Sequence, residues 1–210
     1  MSQPIEFYFD FSSPYGYLGS QRIDALAEKH NCEVNWRPYL LGAVFKKLGT
    51  GPLISQPVKG PYSHHDLQRS ARLYDIPFNV PDPFPVHTVA AGRAFYWLQD
   101  NEGPALAKQF AHALYRGYFI DNRNAGDTEV VIETAAALGL DPAAVAAALQ
   151  DDAIKARLKT EVDGALDKGV FGAPFFIYGD EQFWGCDRMD HLDKWLETGG
   201  WRASVCANPR

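Results

Sequence analysis

The chain opens on a two-residue period. Over residues 5–11 apolar side chains take the odd positions, with Glu6, Tyr8 and Asp10 between them, the alternation of a half-buried strand. Ser13-Pro14 ends the run and predicts a helix start, because serine accepts from open N–H groups and proline loses nothing at the first helical position. Ile23, Leu26, Ala27 and His30 then fall at helical spacing. Cys32, Val34 and Trp36 alternate with Glu33, Asn35 and Arg37 up to Pro38, a second strand. A crossover helix between two strands joins parallel neighbours.

From there to Val170 no strand period returns. The pattern predicts a short apolar helix over 41–47, a Gly/Pro-rich loop over 49–61, and a helix over 63–74 with Leu67, Ala71 and Tyr74 on one face. A second loop, DIPFNVPDPFPVH, leads into helices near 88–100 and 104–119. TEVVIETAAALGL and DPAAVAAALQ each open with a capping residue, Thr128 and Asp141, and are rich in helix formers. A further helix over 152–168 carries Ile154, Leu158, Val162 and Ala165 in register. Strands return at Ala173-Pro174-Phe175-Phe176-Ile177 and Gln182-Phe183-Trp184 around the turn YGDE. Gly185-Cys186-Asp187 then opens a last helix that runs to Leu196.

The order βαβ, helices, ββα is an α/β arrangement of thioredoxin-like type with a large all-helical insertion after the second strand. Its expected division is a discontinuous thioredoxin-like domain over 1–40 and 169–201, a helical insertion domain over 41–168, and a loose tail over 202–210. No internal repeat or low-complexity segment interrupts it.

Composition narrows the function. Of 210 residues 46% are hydrophobic and 22% charged, values of an ordinary globular chain. A net charge of −6 with no basic cluster argues against nucleic acid and anionic membrane as partners. MSQPIEF has no basic region before an apolar run, and no apolar stretch approaches a membrane span, so a cytoplasmic protein is expected. The three cysteines, Cys32, Cys186 and Cys206, are far apart and form no CxxC. That spacing excludes a dithiol redox centre, a zinc cluster and a disulfide scaffold and leaves free thiols.

Three short stretches could carry chemistry. Ser13 reads locally as a helix cap, yet a strand end facing a helix start also gathers N–H groups and partial positive charge. There a serine hydroxyl can hold a ligand's thiolate without acting as a nucleophile, and SSPYG is no nucleophile elbow. In VFGAPFFI, Pro174 can begin an edge strand; in a thioredoxin arrangement it is instead expected to be cis, with the backbone of Ala173 facing outward toward an extended peptide. In WGCDR, Asp187 can cap the last helix, and the same helix start with its carboxylate suits an α-amino acid head group. His64-His65-Asp66 cannot close on one metal, because adjacent helical positions point apart; no metal site is expected. His30, His112 and His191 fall on helices and read as packing or surface residues.

FDFSSPYGYLGS, WRPYLLGAVFKKLG, PVKGPYSHHDLQRSARLYDIPF, VFGAPFF and FWGCDR, in that order, resemble the 2-hydroxychromene-2-carboxylate isomerases and the related kappa-class glutathione transferases of the thioredoxin superfamily. The resemblance implies glutathione as cofactor and a small aromatic carboxylate as substrate, isomerised by reversible thiolate addition, bond rotation and elimination. It implies Ser13 as the catalytic residue that stabilises the thiolate. Glutathione contacts would fall on Ser13, Lys59, Ala173, Pro174, Trp184, Gly185, Cys186 and Asp187, with Lys59 at the glycine carboxylate. Lys46, Phe84 and His87 would line the second-substrate pocket. A homodimer and a place in aromatic catabolism such as naphthalene degradation are further implications. Two departures, Leu48-Gly49-Thr50 in place of a T-G-N stretch and His87 in place of an asparagine, point to a different acceptor. The competing readings are a kappa-type transferase or peroxidase that releases a stable conjugate, and a non-catalytic protein that holds a peptide along the Pro174 edge.

Overall fold

The computed structural model describes residues 3–201. The expected tail over 202–210, with Cys206, lies outside them. Strand β1 is Ile5–Phe9, followed by helices α1, Pro14–Ser20, and α2, Ile23–Lys29, and by strand β2, Val34–Pro38. Helices α3, Leu41–Leu48, and α4, Lys59–Leu73, precede a bundle of α5, Val89–Asn101, α6, Pro104–Phe119, α7, Thr128–Ala136, α8, Pro142–Gln150, and α9, Asp152–Asp167. The chain closes with β3, Phe175–Tyr178, β4, Glu181–Trp184, a 3-10 turn at Cys186–Arg188, and α10, Met189–Thr198.

The four strands lie in the order β2-β1-β3-β4. β1 runs parallel to β2, Phe7 opposite Trp36, and antiparallel to β3, Phe7 opposite Phe176. β3 and β4 form the expected hairpin, turned by Gly179 at φ +61°. This is the thioredoxin-like arrangement, and the peptide bond before Pro174 is cis. Because β3 sits between β1 and β4, the strand after Pro174 has no open edge. Of the two readings of Pro174, the start of an edge strand is the one that does not hold.

Among the boundaries that differ from the sequence pattern, four have a local reason. β1 stops at Phe9, two residues early, because the Asp10 carboxylate takes the Ser12 N–H at 2.8 Å and the Asp10 carbonyl takes the Ser13 N–H at 2.8 Å. The crossover is two short helices, and α1 ends where the Ser20 hydroxyl donates back to the Tyr17 carbonyl at 2.7 Å. α4 starts at Lys59, inside the expected loop, since Pro61 in a first turn forfeits no hydrogen bond. The cap of α7 is Asp127, whose side chain accepts from Glu129 N, rather than Thr128.

β1 is covered on both faces, so Tyr8, on the face read as polar, is 2% exposed and meets Tyr39 edge-on at 6.2 Å. On the other face Phe7 stacks on Phe176 at 5.3 Å, and Phe9 meets Phe95 of α5 and Tyr115 of α6 at 5.9 and 5.8 Å. Sheet and helices therefore share one aromatic core. Arg37 of β2 pairs with Glu6 of β1 and with Glu161 of α9 at 3.1 Å, adding a charged strap on the Tyr8 face of the sheet.

Phe9 is fully buried at the junction of sheet and bundle, so Phe9→Ala should lower unfolding free energy by about 3–5 kcal/mol. Chemical denaturation measures this; a loss below about 1 kcal/mol would mean that the two layers do not depend on this contact.

Candidate active site

Ser13 is the N-cap of α1, with extended backbone at φ −87° and ψ 114°, and Pro14 takes the first helical position. Its Oγ accepts from Gly16 N at 3.0 Å and donates to the carbonyl of Ala173, 160 positions away, at 3.0 Å. The Ala173 carbonyl is thus turned inward onto Ser13 and does not face outward as expected. Ser13 itself is 4% exposed. The Ser13 N–H is spent on Asp10 and the Gly16 N–H on Ser13 Oγ. Among the described residues the Tyr15 N–H meets no acceptor, which leaves it and the Ser13 hydroxyl as the donors of this mouth. α1 has seven residues, so its dipole is that of two turns, and these two donors outweigh it.

Small residues let the segments close. A Cβ on Gly16 would stand 2.8 Å from Tyr115 Oη, one on Gly19 3.1 Å from the ring of Pro174, and one on Gly172 2.2 Å from the indole nitrogen of Trp184. Trp184, half-exposed, lies against Gly172 and meets Phe171 edge-on at 4.8 Å, forming an aromatic shelf beside Ala173. Gly185 N donates to the Pro174 carbonyl at 3.0 Å. Ser13, Ala173, Pro174, Trp184, Gly185, Cys186 and Asp187 are therefore one continuous constellation.

Two of these residues differ from their expected roles. Asp187 does not cap the last helix: it sits in the 3-10 turn, its Oδ2 paired with Arg188 at 2.7 Å, and α10 follows Arg188 without a side-chain cap. Cys186 is 3% exposed, and burial pushes its thiol up to about 12. Only its backbone can meet a ligand; its carbonyl already accepts from Arg22 at 3.0 Å.

The remaining residues lie around this centre. Lys59 is the exposed first residue of α4, where a cation opposes the helix dipole. α4 is tied to α1 by the Tyr15 hydroxyl, which donates to Asp66 Oδ2 at 2.7 Å. Asp66 is further paired with Arg69, so of the His64-His65-Asp66 run it is Asp66 that serves this tie. Lys46 is exposed in the last turn of α3, where its charge also suits the carbonyl end. Phe84, half-buried, and His87, exposed, belong to a loop held over the Ser12-Ser13 turn. Val86 N donates to Ser12 Oγ at 3.0 Å, Tyr118 donates to the Pro83 carbonyl at 2.9 Å and meets the Ser12 hydroxyl, and Thr88 donates to Asp10 at 2.8 Å.

The chain matches the family model described as a DSBA-like thioredoxin domain over residues 4–197. It is 30% identical over 198 residues to a 2-hydroxychromene-2-carboxylate isomerase of Sphingobium xenophagum, covering 93% of this chain and 99% of that one. The chain belongs to the DSBA-like thioredoxin family, with the 2-hydroxychromene-2-carboxylate isomerases among its relatives. Glutathione S-transferase kappa 1 of Rattus norvegicus is 23% identical, with 91% of this chain and 92% of that protein covered. A solved 2-hydroxychromene-2-carboxylate isomerase superposes with a TM-score of 0.82 at 28% identity, over 92% of this chain and 94% of that one.

Within this thioredoxin family member the sequence pattern leaves Asp10, Ser12, Tyr15, Thr88 and Tyr118 unmarked. A lone carboxylate at a strand end was the available signal for Asp10, but alternation assigned it to solvent. His30 and His112 pack as expected, His30 against Asp193 at 2.6 Å and His112 edge-on to Trp36 at 4.9 Å.

The Cys186 thiol, at about 12 against an ordinary 9.0, binds its proton more tightly folded than unfolded. The linked stability is whole below pH 9.0 and is lost as pH climbs toward 12. Cys186→Ala should therefore flatten the alkaline decline in denaturation free energy, and the native thiol should resist alkylation until the protein unfolds. Alkylation of native Cys186 at the rate of a free thiol would contradict its placement.

Proposed function

We propose that the protein is a glutathione-dependent isomerase acting on 2-hydroxychromene-2-carboxylate or a related aromatic acid. The observation that carries this reading is the direct contact of the Ser13 hydroxyl with the carbonyl before cis-Pro174. It occurs in a chain whose relatives bear the isomerase and glutathione transferase names.

The donor set fits an extended thiol peptide. Ala173 offers a backbone N–H that meets no acceptor among the described residues, and the Trp184–Phe171 shelf supplies an apolar wall beside it. The turn at Gly185, Cys186 and Asp187 combines backbone groups with one exposed carboxylate, suited to an amino acid head group. Lys59 is the cation for a far carboxylate.

When bound, glutathione supplies a thiolate whose addition to the conjugated double bond of the ring-opened substrate, and later elimination, lets the intervening single bond rotate. The protein's part is electrostatic and positional. Ser13 turns its hydroxyl from the Ala173 carbonyl toward the sulfur and, with the Tyr15 N–H, favours the ionised form. Neither group is a base, so Ser13 stabilises charge and takes no proton. Lys46, Phe84 and His87 orient the acidic aromatic acceptor; holding it against the sulfur removes the entropy of encounter.

Ser13→Ala should keep the fold and bind glutathione within about threefold in calorimetry, while turnover falls on the order of a hundredfold. Isomerisation at the wild-type rate would remove Ser13 from the mechanism. Product analysis separates the isomerase from a transferase: an isomer released with glutathione recovered supports this reading, and a stable conjugate supports the other.

A further inference from the structure

One buried side chain joins the three parts of this centre. Asp10, 4% exposed, accepts the Ser12 N–H and the Thr88 hydroxyl on Oδ1 and the Leu41 N–H on Oδ2, each at 2.8 Å. Its backbone carbonyl takes the Ser13 N–H at 2.8 Å and the Tyr115 hydroxyl at 2.9 Å. Ser12 and Ser13 form the turn that presents the hydroxyl. Leu41 opens α3, which has no side-chain cap of its own and carries Lys46. Thr88 precedes α5 and ends the loop that bears Phe84 and His87. The carboxylate has lone pairs for all three donors and is buried.

We propose that Asp10 is a positioning residue that sets the Ser12-Ser13 turn and locks it to the two segments lining the acceptor side. The proposal rests on the glutathione reading above. The Asp10 carboxylate holds the Ser12 N–H inward and its backbone carbonyl holds that of Ser13, so the Ser13 hydroxyl, once released from the Ala173 carbonyl, and the Tyr15 N–H are the donors left for a ligand's sulfur. An asparagine of the same size cannot serve: its one oxygen satisfies one side, and its NH₂ meets either the Leu41 N–H or the Ser12 N–H donor to donor. The turn then shifts and the hydroxyl loses its aim.

The test measures the pH at which bound glutathione ionises, from the ultraviolet absorbance of its thiolate. Titration calorimetry and circular dichroism run alongside, for the wild type, Asp10→Asn, Thr88→Val and Thr88→Ser. Folded Asp10→Asn should bind glutathione within about threefold yet ionise it about one pH unit higher, with turnover down about tenfold. Thr88→Val should move both in the same direction by less, and Thr88→Ser, which restores the hydroxyl, should return them. A carboxylate acting through its charge alone would do the reverse, since its removal eases the thiolate and lowers that pH. An unchanged or lowered value in Asp10→Asn overturns the proposal; should that variant not fold, an unchanged value in Thr88→Val overturns it. A wild type that binds no glutathione overturns the functional reading and this inference with it, whereas normal wild-type ionisation with unaltered variants sinks Asp10 alone.

Discussion

The hydrogen bond from Ser13 to the carbonyl of Ala173 holds the segment after β1 to the segment before β3 at one end of the sheet. It exists because β1 pairs with β2 on one side and β3 on the other, which brings the end of the first strand beside the start of the third. The Ala173 carbonyl, just before Pro174, then lies within reach of the start of α1. Glycine at 16, 19 and 172 removes the side chains that would keep these backbones apart. Each close approach supports the next, and the constellation follows from them.

Electrostatics at this point is local. A two-turn helix contributes up to about 1 kcal/mol toward an anion, whereas a hydrogen bond to a charged group contributes about 1.5–3 kcal/mol. The hydroxyl of Ser13 and the N–H of Tyr15 therefore matter more than the helix that carries them. The same logic explains the buried carboxylate beneath: burial pushes Asp10 up, while the N–H groups of Ser12 and Leu41 and the hydroxyl of Thr88 pull it back. An acid in that position is tolerated because every lone pair that matters is occupied.

Much of the fold was legible because periodicity and capping are near-neighbour effects. The βαβ opening, the helical block and the closing hairpin all appear where the pattern puts them. Errors cluster where a distant element decides. Alternation marked Tyr8 and Asp10 as solvent-facing because it records that a strand has two faces and is blind to a second layer covering the outer one. Asp187 resembled a cap because aspartate before a helical run usually is one, but Gly185 at φ +106° folds its carboxylate back against its own turn. The burial of Cys186 depends on what packs over the 3-10 turn, which no local spacing encodes.

By itself the amino-acid order determined the thioredoxin-like element sequence, the serine at the first helix start, the proline before the third strand and the absence of a dithiol, since each depends on residues a few positions apart. Tertiary structure alone decided that the Ala173 carbonyl turns inward and that the loop bearing His87 lies over the serine turn. It also decided that Asp10 binds all three segments. Those are contacts between residues tens of positions apart, and a chain's local preferences carry no information about which donor will meet which acceptor once the layers close.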